Sequence, residues 1–336
     1  MSRALGLALG WVADQALGDP RRWHPVAGFG SAATALERRT YAARRAPGAA
    51  HVALLLGAAV ATGCLAERLT RGRAVAHTLV TAAATWAVLG GRSLAREGAT
   101  IERQLASGDV LAARLQVRNL VGRDTTRLDP DEVARACIES LAENASDAVV
   151  APLLWGAVAG APGLLGYRAL NTLDAMIGHR SPRYAEFGWA AARLDDLVNW
   201  VPARVAAGLA IVAGRGVGRG DGSAALRAIR RDAPAHPSPN GGVVESAFAG
   251  MLGVRLGGSN AYDGHVEDRG TLGHGPPATT HDIAPARRLT HRVSAGAALI
   301  AVALATLSDS SGPATPPAFP GVASKPHVPR SPARHE

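Results

Sequence analysis

The stretch AVAHTLVTAAATWAVLGG, residues 74–91, carries no charged side chain and is bounded by Arg71 and Arg73 before it and Arg92 after it. A helix needs about 20 predominantly apolar residues to cross a bilayer, with ~17 as the lower limit, so this run just reaches that length. Similar runs recur outward in both directions, at residues 5–12, 51–66, 148–167, 205–213 and 293–307. The first extends to Leu17 only by including Asp14, and the run at 148–167 is interrupted by Pro152 and Pro162. Singly, each also suits a buried helix of a soluble α-protein. Their recurrence in one arginine-flanked chain favours lipid. Trp11, Trp86, Trp155 and Trp200 lie in or beside these runs, where indoles serve either as interfacial anchors or as core side chains.

Composition points the same way. Of 336 residues, 47% are apolar and only 19% charged, against roughly 25% charged in an average soluble domain. Thirty-six cations against 27 acids leave +9, and Lys325 is the sole lysine, so 35 cations are arginine. That excludes a G-x-x-x-x-G-K-[ST] phosphate loop and a Schiff-base lysine in the body of the chain. The arginines are scattered in ones and twos, unlike the compact Lys/Arg patch of a nucleic-acid binder. Cys64 and Cys137 form neither a disulfide framework nor a C-x-x-C pattern. Asp14 and Gly18-Asp19-Pro20 stand where a cleaved signal would need small residues. Basic residues flank the early runs on both sides (Arg21, Arg22, Arg38, Arg39, Arg44 and Arg45 on one, Arg92, Arg96 and Arg103 on the other), so the positive-inside rule assigns no orientation.

The fold expected is therefore all-α: an integral membrane helical bundle with several spans and polar helical or loop segments, over residues 1–310. Residues 311–336 hold seven prolines and no apolar periodicity, and read as a Pro-rich disordered tail.

Polar residues gather in four places. Asp129, Pro130 and Glu132 have capping-box spacing ahead of a helix. On that helix Glu139, Glu143 and Asp147 fall within about 80° of one another. A water-facing helix shows the same stripe, and Arg135 can pair with Glu139. Glu143 and Asp147 have no arginine at helical spacing, and the stripe runs into the apolar residues from Ala148 onward. Clustered acids repel unless a cation joins them, and Mg²⁺ commonly takes one or two carboxylates plus phosphate oxygens. Asn171 and Asp174 lie in a second polar segment. In a third, Asp195 shares a helix face with Asn199, and Asp196 stands beside Arg193 at i+3; a metal site and a solvated helix with a local ion pair both fit. The fourth, His236-Pro237-Ser238-Pro239-Asn240-Gly241-Gly242, is a rigid turn whose flexible end can approach a phosphate. Ser238 lacks a G-x-S-x-G context, and a lone histidine such as His236 is more often structural. Glu245 follows this turn, and Gly257-Gly258-Ser259-Asn260 and Tyr262-Asp263-Gly264 read as further turns.

In order and combination these segments resemble the CobD/CbiB family, the adenosylcobinamide-phosphate synthases of cobalamin biosynthesis. The likeness begins at Gly18-Asp19-Pro20 with Trp23-His24-Pro25-Val26, and continues through Gly122-Arg123-Asp124-Thr125 and Glu139 to Asn144. It is densest at Asn171-Thr172-Leu173-Asp174 and Ala192-Arg193-Leu194-Asp195-Asp196, and closes with His236 to Gly241 and Leu256-Gly257-Gly258. Roughly residues 5–307 are covered; Ala175 stands where a serine is expected. The resemblance implies a multi-pass protein of the cell (inner or plasma) membrane. Such a protein joins aminopropanol or aminopropanol phosphate to the propionate of adenosylcobyric acid in an ATP-dependent, amide-forming ligation. The cofactors implied are ATP and Mg²⁺. The partners implied are the two substrates, the lipid bilayer and other cobalamin-pathway enzymes, with no nucleic acid.

On this basis Glu143, Asp147, Asp195, Asp196 and His236 are expected to be catalytic, with His236 a base for the ammonium proton. Arg123 and Arg193 are expected to neutralise phosphoryl charge, with Asp124, Asn144, Asn171 and Asp174 also on substrate. Asn199, Arg204, Ser238 and Asn240 complete the expected substrate contacts. Glu139, Glu143, Asp195 and Asp196 are the expected metal ligands, with Asp147 and Asp174 as further candidates. The competing expectation is a non-catalytic membrane sensor or transport component of the same fold.

Overall fold

The computed structural model describes residues 1–20, 24–179, 181–262 and 265–310. The tail at 311–336, the flanking Arg21 and Arg22, Trp23 of the motif and the Asp263-Gly264 turn lie outside the described residues.

The chain forms α1 (Ser2–Leu17), α2 (Pro25–Thr40), α3 (Arg45–Thr70), α4 (Ala74–Val88), α5 (Gly91–Ala106), α6 (Val110–Val117) and α7 (Pro130–Ala145). There follow α8 (Ala151–Leu173), α9 (Trp189–Val198), α10 (Trp200–Ala213), α11 (Gly222–Arg231) and α12 (Gly241–Leu252). A hairpin of β1 (Leu256–Tyr262) and β2 (His265–Leu272) precedes the last helix, α13 (Thr280–Ser310).

The apolar runs are the bundle. Four helical stretches are long and apolar enough to cross a membrane: Arg45–Thr70, Ala74–Ala106, Pro130–Gly178 and Thr280–Ser308. The run at 205–213 joins α9 to make a fifth if that pair, bent by 46°, is one broken span. Leu54, Leu65, Leu69, Val75, Leu79, Leu299 and Leu307 project outward from α3, α4 and α13. Such a surface is disfavoured in water and suited to acyl chains.

With no hydrophobic drive between helices inside lipid, close association needs small residues. The first helix supplies them. Gly6 and Gly10 of α1 lie against Thr81 and Thr85 of α4, where an added Cβ at either glycine would collide. Helices α3 and α8 meet in the same way at Gly63 and Pro162. Helix α8 is kinked at Gly160 (φ 63°, ψ −146°), two residues before Pro162. The freed Ala161 N–H donates to Glu67 Oε1 at 3.0 Å, so the kink leaves no orphaned donor there. Three of the four tryptophans tie elements together: Trp11 to Ser294 Oγ (2.9 Å), Trp86 to the Gly18 carbonyl (3.0 Å) and Trp155 to the Val198 carbonyl (3.2 Å).

Two details go beyond the turns read at 236–242 and 257–260. Between them lies α12, an apolar helix in which Val244, Glu245, Phe248 and Met251 are all buried. The Gly-rich stretch after it forms an antiparallel hairpin with an irregularity between Gly257 and Ser259. Gly257 (φ 78°) and Gly258 (φ 89°) occupy left-handed conformations that glycine adopts freely, which is why a turn-like composition makes a strand here. The architecture remains an all-helical membrane bundle with one small hairpin.

Candidate functional site

The expected capping box is present: Asp129 Oδ1 accepts from Glu132 N (2.8 Å) while Glu132 Oε2 accepts from Asp129 N (2.9 Å). Helix α7 then runs inward, and its end is not plain α. A π-helical turn, Ser146–Val150, joins α7 to α8, and a second, Asp174–Gly178, ends α8. Such turns insert an extra residue, re-aim the side chains they carry and recur at functional sites. Asp147 sits on the first and Asp174 opens the second.

Both turns face α9. Asp147 is within electrostatic reach of Asp195, Glu143 and Asp174, with Arg168 the cation acting on it most strongly. Asp174 in turn feels Asp195, Asp196 and Glu143. Five carboxylates from the α7–α8 line and α9 thus converge. Their supports are polar and buried: Asn199 Nδ2 donates to Asp195 Oδ2 (2.9 Å), and the Tyr167 hydroxyl donates to Asn199 Oδ1 (2.8 Å). Asn171 Oδ1 accepts from Arg168 Nη1 at 3.3 Å. Asp195 Oδ1 and Arg168 Nε are buried with no hydrogen-bond partner among the described residues. Orphaned buried atoms of this kind call for an explanation, and one is a missing ligand.

A hard divalent cation fits this donor set through one or two carboxylate oxygens, its remaining positions filled by phosphate and water. An all-protein cage does not: among the described residues no three His, Cys, Asp or Glu side chains are placed to hold a metal ion together.

Glu139 departs from its expected role as a metal ligand. Its Oε2 meets Arg123 Nη1 at 2.9 Å, and its Oε1 meets Arg135 Nη1 at 3.3 Å and accepts from Gly257 N at 2.7 Å. Arg123 also donates to Asn260 Oδ1, and Arg135 to the Gly257 carbonyl. Two arginines and an amide saturate the carboxylate, so this group locks the hairpin onto α7. The same engagement removes Arg123 from the open phosphoryl role expected of it.

The His236 turn is also corrected. Ser238 Oγ accepts from Gly241 N (3.0 Å) and Asn240 N (3.3 Å), so the N–H groups expected to cradle a phosphate are used at the start of α12. Asn240 takes a bond from Arg204 Nη1 (2.7 Å) and gives one to the Asp196 carbonyl (2.7 Å), binding α9, α10 and α12 into one unit. His236 Nδ1 accepts from Ser238 N at 3.1 Å, while Nε2 lies 3.5 Å from Glu245 Oε1. Both side chains are sealed, at 0% and 1% exposure. Burial pushes His236 down to about 4 and, with Glu139 nearby, raises Glu245. A neutral, enclosed imidazole positions the turn and does not reach an amine. Asp124 is likewise local, accepting from Thr126 N (2.9 Å) and Oγ1 (2.7 Å). Asn144 donates to the Ser140 carbonyl and Oγ of its own helix, both at 3.0 Å. Arg193 is exposed on α9.

The structure therefore gathers Glu143, Asp147, Asn171, Asp174, Asp195, Asp196 and Asn199. It adds Tyr167 and Arg168, which stand at the end of the apolar run at 148–167 and have no spacing that marks them. Glu245 and Asn260 also belong to the buried network, and no local spacing signals either.

A family model described as CobD/Cbib protein matches residues 7–290. A Mycobacterium tuberculosis protein named cobalamin biosynthesis protein CobD is 52% identical over 303 residues, covering 90% of this chain and 96% of its own. Proteins of the same name from Chromobacterium violaceum (43% identical; 87% of this chain, 93% of its own) and Rhodobacter capsulatus (41%; 90% and 95%) match nearly as fully. No solved structure matches. With a family model spanning most of its length and relatives this similar across nearly all of theirs, the chain belongs to the CobD/Cbib family.

Proposed function

We propose that the chain acts in cobalamin biosynthesis by forming the amide bond between aminopropanol, free or phosphorylated, and the propionate of adenosylcobyric acid. The observation that carries this is the convergence of five carboxylates from α7, two π-helical turns and α9, with Asp195 Oδ1 left unpartnered among the described residues, in a family whose curated relatives bear cobalamin-biosynthesis names.

Amide formation from a free carboxylate stalls because hydroxide leaves poorly. Bound Mg-ATP would supply the phosphoryl group that converts that oxygen into a phosphate leaving group, with Asp195 and one neighbouring carboxylate, Asp147 or Glu143, as the residues to hold the cation. The chain's own groups account for the rest. The acidic pocket attracts the ammonium end of the amine, and one of its carboxylates takes the proton that must leave before nitrogen attacks carbon. Arg168, which acts electrostatically on Asp147, suits the propionate or the departing phosphate through bidentate donation. Rate enhancement rests on positioning and fixed charge, since no covalent nucleophile lies in the group. The same proposal places the chain as a multi-pass protein of the cell membrane, on its four to five candidate spans.

The test incubates the purified full-length protein with adenosylcobyric acid, Mg-ATP and either amine, followed by mass analysis of the corrinoid. A mass gain equal to the amine less water supports the proposal and names the preferred amine. Absence of product with both amines, from a folded and lipid-reconstituted protein, overturns it.

A further inference from the structure

Along the line from α4 to α5 the outer surface changes character. Helix α4 turns Val75 and Leu79 outward, whereas α5 carries guanidinium groups. At 100° per residue Arg92, Arg96 and Arg103 fall within about 40° of one another, opposite the buried Leu94, Gly98, Ile101 and Leu105. Alanines stand between the arginines, and their small side chains leave the space above the helix open. Arg287 of α13 closes the far wall. The result is a groove of about 660 Å³ lined by four arginines and one carboxylate, Glu102.

The charges in this groove are unbalanced. Arg287 Nη1 pairs with Glu102 Oε2 at 2.7 Å, while its Nε donates to the Ala95 carbonyl. The other three guanidinium groups form no ion pair among the described residues. Arg96 reaches only the Leu17 carbonyl (3.4 Å), and Arg103 only Thr100 Oγ1 (3.2 Å). Four cations less one anion leave a formal +3.

The groove's height in the bundle decides what fills it. Trp11 meets Ser294 and Gly10 meets Thr85, so α1, α4 and α13 are level there. To one side of that level α13 exposes Leu299, Leu304 and Leu307, and α4 exposes Leu79 and Val75. To the other side, Arg287 meets Ala95 and Glu102. The groove thus opens at the edge of the apolar belt, where a lipid carries its phosphate. Arg292 marks the same boundary, donating to the Ala213 and Arg215 carbonyls.

We propose that this groove binds the phosphate headgroup of an anionic phospholipid. Each guanidinium at a membrane surface contributes about fivefold in affinity, so removing three weakens binding by about 100-fold. The site is separate from the acidic pocket and does not depend on the chemistry proposed for it.

The full-length protein in neutral detergent is titrated with mixed micelles containing phosphatidylglycerol, phosphatidylcholine or no lipid, and separately with inorganic phosphate. Bound lipid is counted by native mass spectrometry and thermal stability is followed in parallel. Two variants of equal charge are compared, Arg92→Ala/Arg96→Ala/Arg103→Ala and Arg38→Ala/Arg39→Ala/Arg44→Ala. All six positions are exposed, and five lie in helices, where alanine is favoured, with Arg44 just ahead of α3; circular dichroism verifies that both variants fold. The expected result is phosphatidylglycerol retained and stabilising in the native protein and in the second variant, and lost by about 100-fold in the first. Equal retention by both variants overturns the proposal, as does equal loss from both. Inorganic phosphate matching phosphatidylglycerol in affinity overturns the lipid assignment in favour of a soluble anion.

Discussion

Replacing Glu139 by glutamine tests whether this residue is an internal counter-ion. Its carboxylate serves Arg123, Arg135 and the Gly257 amide, and the Glu139 and Arg123 side chains are only 5% and 3% exposed. Glutamine offers one acceptor oxygen in place of two and turns an amide donor toward a guanidinium. Arg123, whose Nε and Nη2 already lack partners among the described residues, would keep its charge in a buried place without the opposing carboxylate. Breaking a buried pair from one side costs about 3–5 kcal/mol. At ~2 °C per kcal/mol for a chain of this size, the unfolding midpoint should fall by roughly 6–10 °C. Thermal unfolding of the detergent-solubilised protein, followed by tryptophan fluorescence, measures it. The double variant Arg123→Met/Glu139→Leu removes the most buried charge along with its counter-ion and should recover part of the loss, the remainder reflecting Arg135 and the Gly257 amide, which also lose the carboxylate. A fall under ~2 °C in the single variant, or a double variant no more stable than the single, refutes the counter-ion assignment. A metal ligand would behave otherwise, losing Mg²⁺ dependence while leaving the metal-free midpoint unchanged.

Asp147→Asn and Asp195→Asn should each lower product formation by at least about 100-fold with the protein still folded and membrane-extracted, as read by corrinoid mass analysis; full activity in both removes the acidic pocket from the chemistry. Gly10→Ala should destabilise by about 1–3 kcal/mol through its clash with α4, whereas Gly57→Ala, with open space around it, should stabilise by about 0.5–1 kcal/mol; midpoints that move alike contradict the packing. His236 sits near 4 when folded against 6.5 in a free chain. As pH falls below 6.5 the unfolded chain gains a proton the folded one refuses, so stability from the neutral ring is complete above 6.5 and lost down to about 4, by no more than about 3 kcal/mol. Glu245, raised by burial, acts with the opposite slope above its free-chain value of 4.5. Subtracting the pH profile of His236→Gln from that of the native protein should isolate the rising limb, and a flat difference between pH 4 and 6.5 contradicts a buried neutral imidazole.

The bundle was legible because lipid and water demand different surfaces, and runs of small apolar residues between arginines state that demand locally. The capping box at Asp129 is equally local, needing only residues three apart. Glu139 shows where local reading stops. Arg135 at i+4 announces one partner, but Arg123 and the Gly257 amide reach it from segments distant in the chain. The stripe of Glu143 and Asp147 was visible, but the π-helical turn that aims Asp147 at α9 was not, since helical period assumes an unbroken α-helix. Asn240 looked like a ligand because turn residues and phosphate-binding residues share a composition, and only the contacts to Arg204 and Asp196 separate the two.

The two π-helical turns have a consequence for length. Asp147 and Asp174 stand on two helical arms that meet at the Gly160 kink, and both acids lie within electrostatic reach of Asp195 on α9. One residue added or removed within either arm would swing its acid about 100° around that arm's axis. Insertions elsewhere lengthen a loop; here they dephase the pocket. Each arm is therefore a fixed count of residues between the kink and its acid.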